Sequence, residues 1–294
     1  MFTPRNRVTV ADADERPAGD REEMLLKTTQ VPVARAVKRW LAPAAKAVAP
    51  RLFWRRKYRL LQRLGQSRPD VRLAASLCDP DRVSLDIGAD VGEFTTAMLA
   101  SSRSVIAFEP RPAQARDLAA MFAAVGAAVR VEAVALSDKP GVTAMRVVES
   151  EPGRSTIDTD NVLGDVDGSS IRCIDVPVKR LDDLQLDDVG LIKIDVEGHE
   201  LAVLRGAAET LRRNRPTILV EAEERHRPNA VAEITALLES FGYAGYFESG
   251  DARLPVGEFD PTQHQNPANI GGPDEQWAIH GVYVNNFVFV PAEG

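Results

Sequence analysis

A chain of 294 residues with 44% hydrophobic and 27% charged side chains can bury one large α/β core with extensions, or two small ones. Its net charge of −7 argues against a general nucleic-acid binder, since an acidic surface repels phosphates, and no run approaches the roughly 20 apolar residues that span a bilayer. Cys78 and Cys173 lack metal-type spacing, and the polar start MFTPRNRVTVADADERPAGD has no secretory apolar core, so a cytoplasmic protein with reduced thiols is expected.

Residues 1–30 read as a disordered polar arm. Residues 31–64 carry ten Arg or Lys and no acid, interleaved with Trp40, Leu41, Phe53 and Trp54, with breaks at Pro43 and Pro50. This basic helical extension, taken to residue 80, suits either peripheral contact with an anionic membrane or packing on an acidic body.

Strand and helix patterns then alternate. VSLDIG (83–88) is predicted as a strand, 92–102 as a helix and SVIAFEP (104–110) as a strand. Residues 112–126 form a helix opened by proline and closed by glycine, and 128–137 a third strand. Residues 141–150 and 170–178 suggest an added antiparallel pair. The alternation resumes with LIKID (191–195), a helix at 199–213, a strand at 216–223 and a helix at 229–241, followed by strands at 243–249 and 283–290. Such a pattern predicts a doubly wound, mostly parallel sheet, with its ligand cleft at the carboxyl ends of the strands.

The turn Asp86-Ile-Gly88-Ala-Asp90-Val-Gly92 joins the first strand to the first helix, and Glu109 ends the next strand, where an acid can take both hydroxyls of a ribose. Asp86, Asp90 and Glu93 would repel a pyrophosphate but suit the cationic S-adenosylmethionine. Glu93 also fits as a helix-dipole partner.

The segments LDIGADVGEFT, IAFEPRP, VALSD, RSTI (154–157), VKRLDDL, LIKIDVEGHELAVLRGA, RPTILVE and YVNNFVFVP resemble the FkbM-type methyltransferases, over about Val83 to Pro291. The resemblance implies a Rossmann-like class I methyltransferase domain at 81–294 and S-adenosylmethionine as cofactor. It further implies that Gly88, Gly92 and Glu109 hold the cofactor together with Asp86, Asp90 and Pro110, and that Ser137 and Asp138 lie by the adenine. Such enzymes methylate hydroxyls of sugars, glycolipids or secondary metabolites.

Methyl transfer to a hydroxyl needs a group to take or orient its proton. Asp195 is the first candidate, with Glu197 and His199 beside it; Glu200 reads as a helix-dipole residue. Glu221 and His226 are expected at the acceptor pocket. No resident metal is expected, although Asp195, Glu197 and Glu221 are the oxygen ligands that a hard cation would use. The alternatives are a nicotinamide-dependent oxidoreductase, disfavoured by the acidic turn and the missing G-x-G-x-x-G, and a non-catalytic S-adenosylmethionine-binding module. Oligomeric state has no signature in the sequence.

Overall fold

The structure, a computed structural model, describes residues 45–161, 163, 168–250, 252–271 and 279–292. The expected polar arm and residues 31–44 of the basic segment lie outside the described residues. By contacts the chain divides between Phe53 and Trp54.

Two helices precede the sheet, α1 (Pro50–Ser67) and α2 (Pro69–Ser76), each opened by a proline whose fixed φ suits a first turn. From Trp54 onward, α1 buries Trp54, Leu61 and Gly65, and Tyr58 meets Phe122 edge-on at 6.2 Å. Arg55, Arg56, Arg59 and Arg63 are exposed with Leu60 and Leu64.

The alternating region follows as β1 (Val83–Ile87), α3 (Glu93–Met98), β2 (Ser104–Phe108), α4 (Pro112–Val125) and β3 (Val129–Glu132). A small sheet is then made from β4 (Ala135–Leu136), β5 (Gly141–Val148) and β6 (Ile171–Lys179). The main series resumes with β7 (Val189–Ile194), α5 (Glu200–Arg205), α6 (Ala208–Asn214), β8 (Thr217–Glu221) and α7 (Ala230–Ser240). It ends with β9 (Tyr243–Ser249), β10 (Ala252–Pro255), α8 (Pro261–His264) and β11 (Asn286–Pro291).

The main sheet has eight strands in the order β10-β9-β11-β8-β7-β1-β2-β3. Strands β3, β2, β1, β7 and β8 are parallel, while β11 runs antiparallel to both β8 and β9. Strand β1 therefore lies between β2 and β7, and the chain departs from it in both directions, the place where a doubly wound sheet opens a cleft. Every residue of β7 is buried, as a strand covered on both faces requires. Ile192 and Ile194 join the core that includes Leu201 and Ile234. Leu191 faces the other way, with Val71, Phe94 and Leu219. Lys193 shares that second face, where alternation calls for an apolar side chain.

Two expected elements are divided. The strand at 128–137 breaks after Glu132: β3 is the edge of the main sheet, and Ala135 and Leu136 instead pair with Val178 and Lys179 in the small sheet. The helix at 199–213 is interrupted at Gly206, where the chain presses against the Ser137 backbone; an added Cβ would lie 2.0 Å from the Ser137 carbonyl oxygen. The antiparallel pair expected around 141–178 is present as β5 and β6. None of the helices among the described residues is long and apolar enough to cross a membrane.

Candidate active site

A cavity of about 310 Å³ opens at the carboxyl ends of β1, β2, β7 and β8. Gly88, Asp90, Glu109, Pro110, Asp195, Glu197, His199 and Glu221 all line it, so residues from four strand ends share one space. Gly88 has φ +85°, and a Cβ there would stand 1.8 Å from the Asp195 carbonyl oxygen. Contact between two strand ends thus requires glycine here, at a position that also lines the cavity.

At the β2 end, the buried Glu109 carboxylate receives the backbone N–H groups of Asp90 at 3.0 Å and Arg111 at 2.9 Å. Arg111 also grips it with its fork, Nε to Oε1 at 2.8 Å and Nη2 to Oε2 at 2.9 Å. Such paired, charge-assisted bonds are the strong ones. Val134, Leu136, Met145 and Ile157 supply an apolar wall.

Four expected cofactor contacts are placed differently. Asp86 is fully buried beneath the cavity, where it accepts a bond from Thr95 Oγ1 and lies 3.8 Å from Lys193 Nζ; burial pushes its carboxyl up. Gly92 opens α3 and packs toward Leu118. Ser137 and Asp138 stand outside the cavity lining, with Ser137 Oγ 3.2 Å from Asp138 Oδ1 and 2.9 Å from Nε2 of His199, which lines it.

The β7 end brings a buried lysine against an aspartate. Asp195 Oδ2 accepts from Lys193 Nζ at 3.1 Å, and Oδ1 has no hydrogen bond to a described residue. Lysine is almost never buried unless paired. Burial works against the Lys193 charge, but Asp195, Asp86 and Glu221 outweigh it and hold the ammonium above its ordinary value. The ammonium also sits 4.3 Å from the Phe94 ring centroid.

Glu197 and Glu221 stand differently: burial first, then the Asp195 charge, pushes both carboxyls well above the usual range. Glu221 accepts from Asn285 Nδ2 at 2.7 Å. Glu197 Oε2 lies 3.3 Å from His226 Nε2. Burial pushes that imidazole down and the Glu197 carboxyl up, so both shifts work against a charged pair at this contact. His226 supports Glu197 from outside the cavity instead of lining the acceptor pocket, as the sequence suggested.

His199 has both ring nitrogens engaged, Nε2 with Ser137 and Nδ1 with Asp158 Oδ2 at 3.2 Å. Burial would raise Asp158, but the His199 bond and the N–H groups of Asp160 and Asn161 outweigh it and hold the carboxyl low. These contacts make His199 a tie between loops and not a free proton acceptor. Among the described residues, no three His, Cys, Asp or Glu side chains are grouped to hold a metal ion, so Asp195, Glu197 and Glu221 share a cavity without forming a ligand set.

Glu200 does more than meet a helix dipole. Its buried carboxylate accepts from Gly198 N at 2.9 Å and Val196 N at 3.3 Å, closing the turn that presents Asp195 and Glu197. Burial pushes it up to about 7. Because the folded value lies above the ordinary one of 4.5, this contribution to stability is present below that pH and lost as pH rises through about 7. Between pH 5 and 8, wild-type stability is expected to fall more than that of Glu200→Gln, by on the order of 2–3 kcal/mol in denaturant titrations. Parallel curves for the two proteins would remove this role.

Lys193, Arg111, Arg225 and Tyr283 were not visible as site residues in the sequence. Arg225 and the Tyr283 hydroxyl bind Glu223 behind Glu197 and hold that carboxylate low although burial would raise it. A buried lysine in an otherwise apolar strand, LIKID, is the one local signal that could have been read.

A doubly wound sheet of this order, with an acid ending the second strand and a lysine-bound aspartate ending the strand on the other side of β1, defines a Rossmann-like class I methyltransferase fold. The Methyltransferase FkbM domain matches residues 86–244, more than half of the chain, and the chain belongs to that family. Methyltransferase 1 of Beauveria bassiana (strain ARSEF 2860) is 29% identical over 194 residues, covering 60% of this chain and 77% of that protein. Methyltransferase sdnD of Sordaria araneosa is 29% identical over 193 residues, covering 54% and 72%. Among solved structures, Methyltransferase FkbM from Methylobacillus flagellatus KT aligns with a TM-score of 0.43 at 17% identity, over 72% of this chain. The chain spans 44% of the length of that structure. Family membership sets aside the nicotinamide-dependent alternative.

Proposed function

We propose that the chain is an S-adenosylmethionine-dependent O-methyltransferase acting on a hydroxyl of a sugar, glycolipid or secondary metabolite. The observation that carries this reading is Asp195: a carboxylate fixed through one oxygen by Lys193, with no hydrogen bond from a described residue on the other, in a cavity that also holds Glu109. The residues fit the cofactor. Glu109 would hold the ribose hydroxyls, the apolar wall of Val134, Leu136, Met145 and Ile157 suits a purine, and Asp90 suits a cationic amino-acid part. The cations of the cavity suit a phosphate poorly. Arg111 is bound by Glu109 and Asp90, Arg68 by Asp70 and Glu93, Lys193 by Asp195, and Arg154 lies 3.6 Å from Glu151.

When bound, S-adenosylmethionine supplies a methyl group on a sulfonium, which is open to attack by an oxygen nucleophile. Asp195 Oδ1 accepts the acceptor's hydroxyl proton while Lys193 keeps Oδ2 in place. Glu197 and Glu221, whose carboxyls burial and the Asp195 charge push well above the usual range, line the cavity beside Asp195, and so carboxyl-rich a lining favours a hydroxylated acceptor over an anion. Isothermal titration tests the cofactor: binding of S-adenosylmethionine with no binding of NAD is expected, and the reverse would overturn the reading. Binding without methyl transfer to any of a panel of glycans and polyols would point to a non-catalytic module.

The described part of the basic segment supports peripheral membrane contact as a second element of this reading. Leu60 and Leu64 are 54% and 47% exposed on α1, beside the exposed Arg56, Arg59 and Arg63. Apolar and cationic side chains along one helix suit an anionic lipid surface. The protein is expected to sediment with phosphatidylglycerol-containing vesicles, less so in high salt, and not with pure phosphatidylcholine. Arg56→Gln/Arg59→Gln/Arg63→Gln should lose the sedimentation; equal sedimentation of variant and wild type would end the idea.

A further inference from the structure

Arg111 crosses the ribose end of the cavity with four of the five N–H donors of its guanidinium in use. Beyond its two bonds to Glu109, Nη2 reaches Asp90 Oδ1 at 2.6 Å and Nη1 reaches the Pro152 carbonyl at 2.5 Å. A carboxylate offers about four lone-pair sites, and on Glu109 all four are taken, two by backbone N–H groups and two by the fork. The backbone donors are fixed by the strand end and by the turn at Asp90, which has φ 42°. The fork belongs to a flexible side chain. A ribose diol brings two O–H donors and needs two sites on the same carboxylate, so the fork is the pair that must give way.

We propose that Arg111 is a latch that keeps the ribose place on Glu109 and yields it to the cofactor, and that this exchange governs the Pro152–Ser155 turn beside the cavity. The inference rests on Glu109 being the ribose acid. Two hydroxyl donors replace two N–H donors one for one, so Glu109 stays satisfied while the guanidinium is left with Asp90 and Pro152. The turn leads directly into Thr156, whose Oγ1 donates to the Glu197 carbonyl at 2.9 Å, and Ser155 Oγ accepts from Val148 N at 3.2 Å. Movement at Pro152 therefore reaches the carboxyls at the end of β7, and cofactor entry precedes and prepares the acceptor end.

The test is titration with S-adenosylhomocysteine, which lacks the sulfonium charge and so leaves out the general attraction of the acidic rim for a cation. Arg111→Met is expected to bind it roughly tenfold more tightly than wild type, because the Glu109 carboxylate is then buried without its main partner until the ligand arrives. Amide hydrogen exchange over 149–158 should change on ligand addition in wild type and be already changed, with or without ligand, in Arg111→Met. Equal or weaker binding by Arg111→Met overturns the latch. If that variant does not fold, Arg111→Lys, which keeps the charge but not the fork, is read in the same way. Glu109→Ala separates the two levels of the argument: unchanged affinity there removes the ribose reading itself, whereas weakened affinity with no gain in Arg111→Met removes the latch alone.

Discussion

Asp195→Asn is expected to lower turnover by roughly 10² to 10⁴ while leaving S-adenosylmethionine affinity nearly unchanged. The amide keeps the size and shape of the side chain but cannot take a proton from the acceptor hydroxyl. Lys193 would then face a neutral partner at the 3.1 Å contact, with Asp86 still 3.8 Å away, so its burial is less well compensated and some loss of stability should accompany the loss of turnover. The proposed ribose and purine contacts lie on β2 and the small sheet, which is why binding should survive. Chelation separates this role from a metal role: a proton acceptor predicts turnover insensitive to EDTA, whereas a metal ligand predicts loss with EDTA and recovery with Mg²⁺. Near-full turnover of Asp195→Asn on a true acceptor would leave the carboxylate as support for Lys193 and nothing more.

Glu109→Ala is expected to weaken S-adenosylmethionine binding at least roughly tenfold, since a charge-assisted hydrogen bond contributes about 1.5–3 kcal/mol and a diol forms two. Isothermal titration reads this without an acceptor. The fold should persist, because Arg111 keeps Asp90 and the Pro152 carbonyl when Glu109 is removed. Weakened binding with an intact far-ultraviolet spectrum is the expected pair of results. An unchanged dissociation constant would take Glu109 out of the site.

The main sheet was legible because its central strands are short apolar runs of the right length between glycine and proline punctuation. VSLDI, SVIAF, VGLIKI and TILVE are all strands, and all meet parallel neighbours. What failed to show was decided by partners distant in sequence. Nothing within 128–137 announces that Leu136 pairs with Lys179 while Phe108 pairs with Glu132. Gly206 looks like an ordinary interruption until Ser137, far back in the chain, is found against it.

The same division runs through the site. Topology alone brings Glu109 and Asp195 to one cleft, because both end strands that flank β1. Protonation and pairing do not follow from topology. Asp195 and Glu197 are two residues apart, yet one is matched by Lys193 and the other is buried among carboxylates. Asp86 and His199 carry the residue types that chemistry needs, but Asp86 is fully buried with one oxygen held by Thr95, and Ser137 and Asp158 engage both ring nitrogens of His199.

The closeness of Gly88 to the Asp195 carbonyl bears on how loss of activity would look among descendants of this chain. The 1.8 Å approach leaves no room for a methyl group, whatever the neighbouring cavity contains. A descendant that had abandoned catalysis and survived as a scaffold would still be held to glycine at this position by folding alone. In the proposed roles, selection for chemistry would act instead on Glu109 and on the Asp195 carboxylate, neither of which the backbone contact demands. A lineage that has retired from methyl transfer should therefore drift first at those two carboxylates, with the glycine turn outlasting the reaction it was once taken to signify.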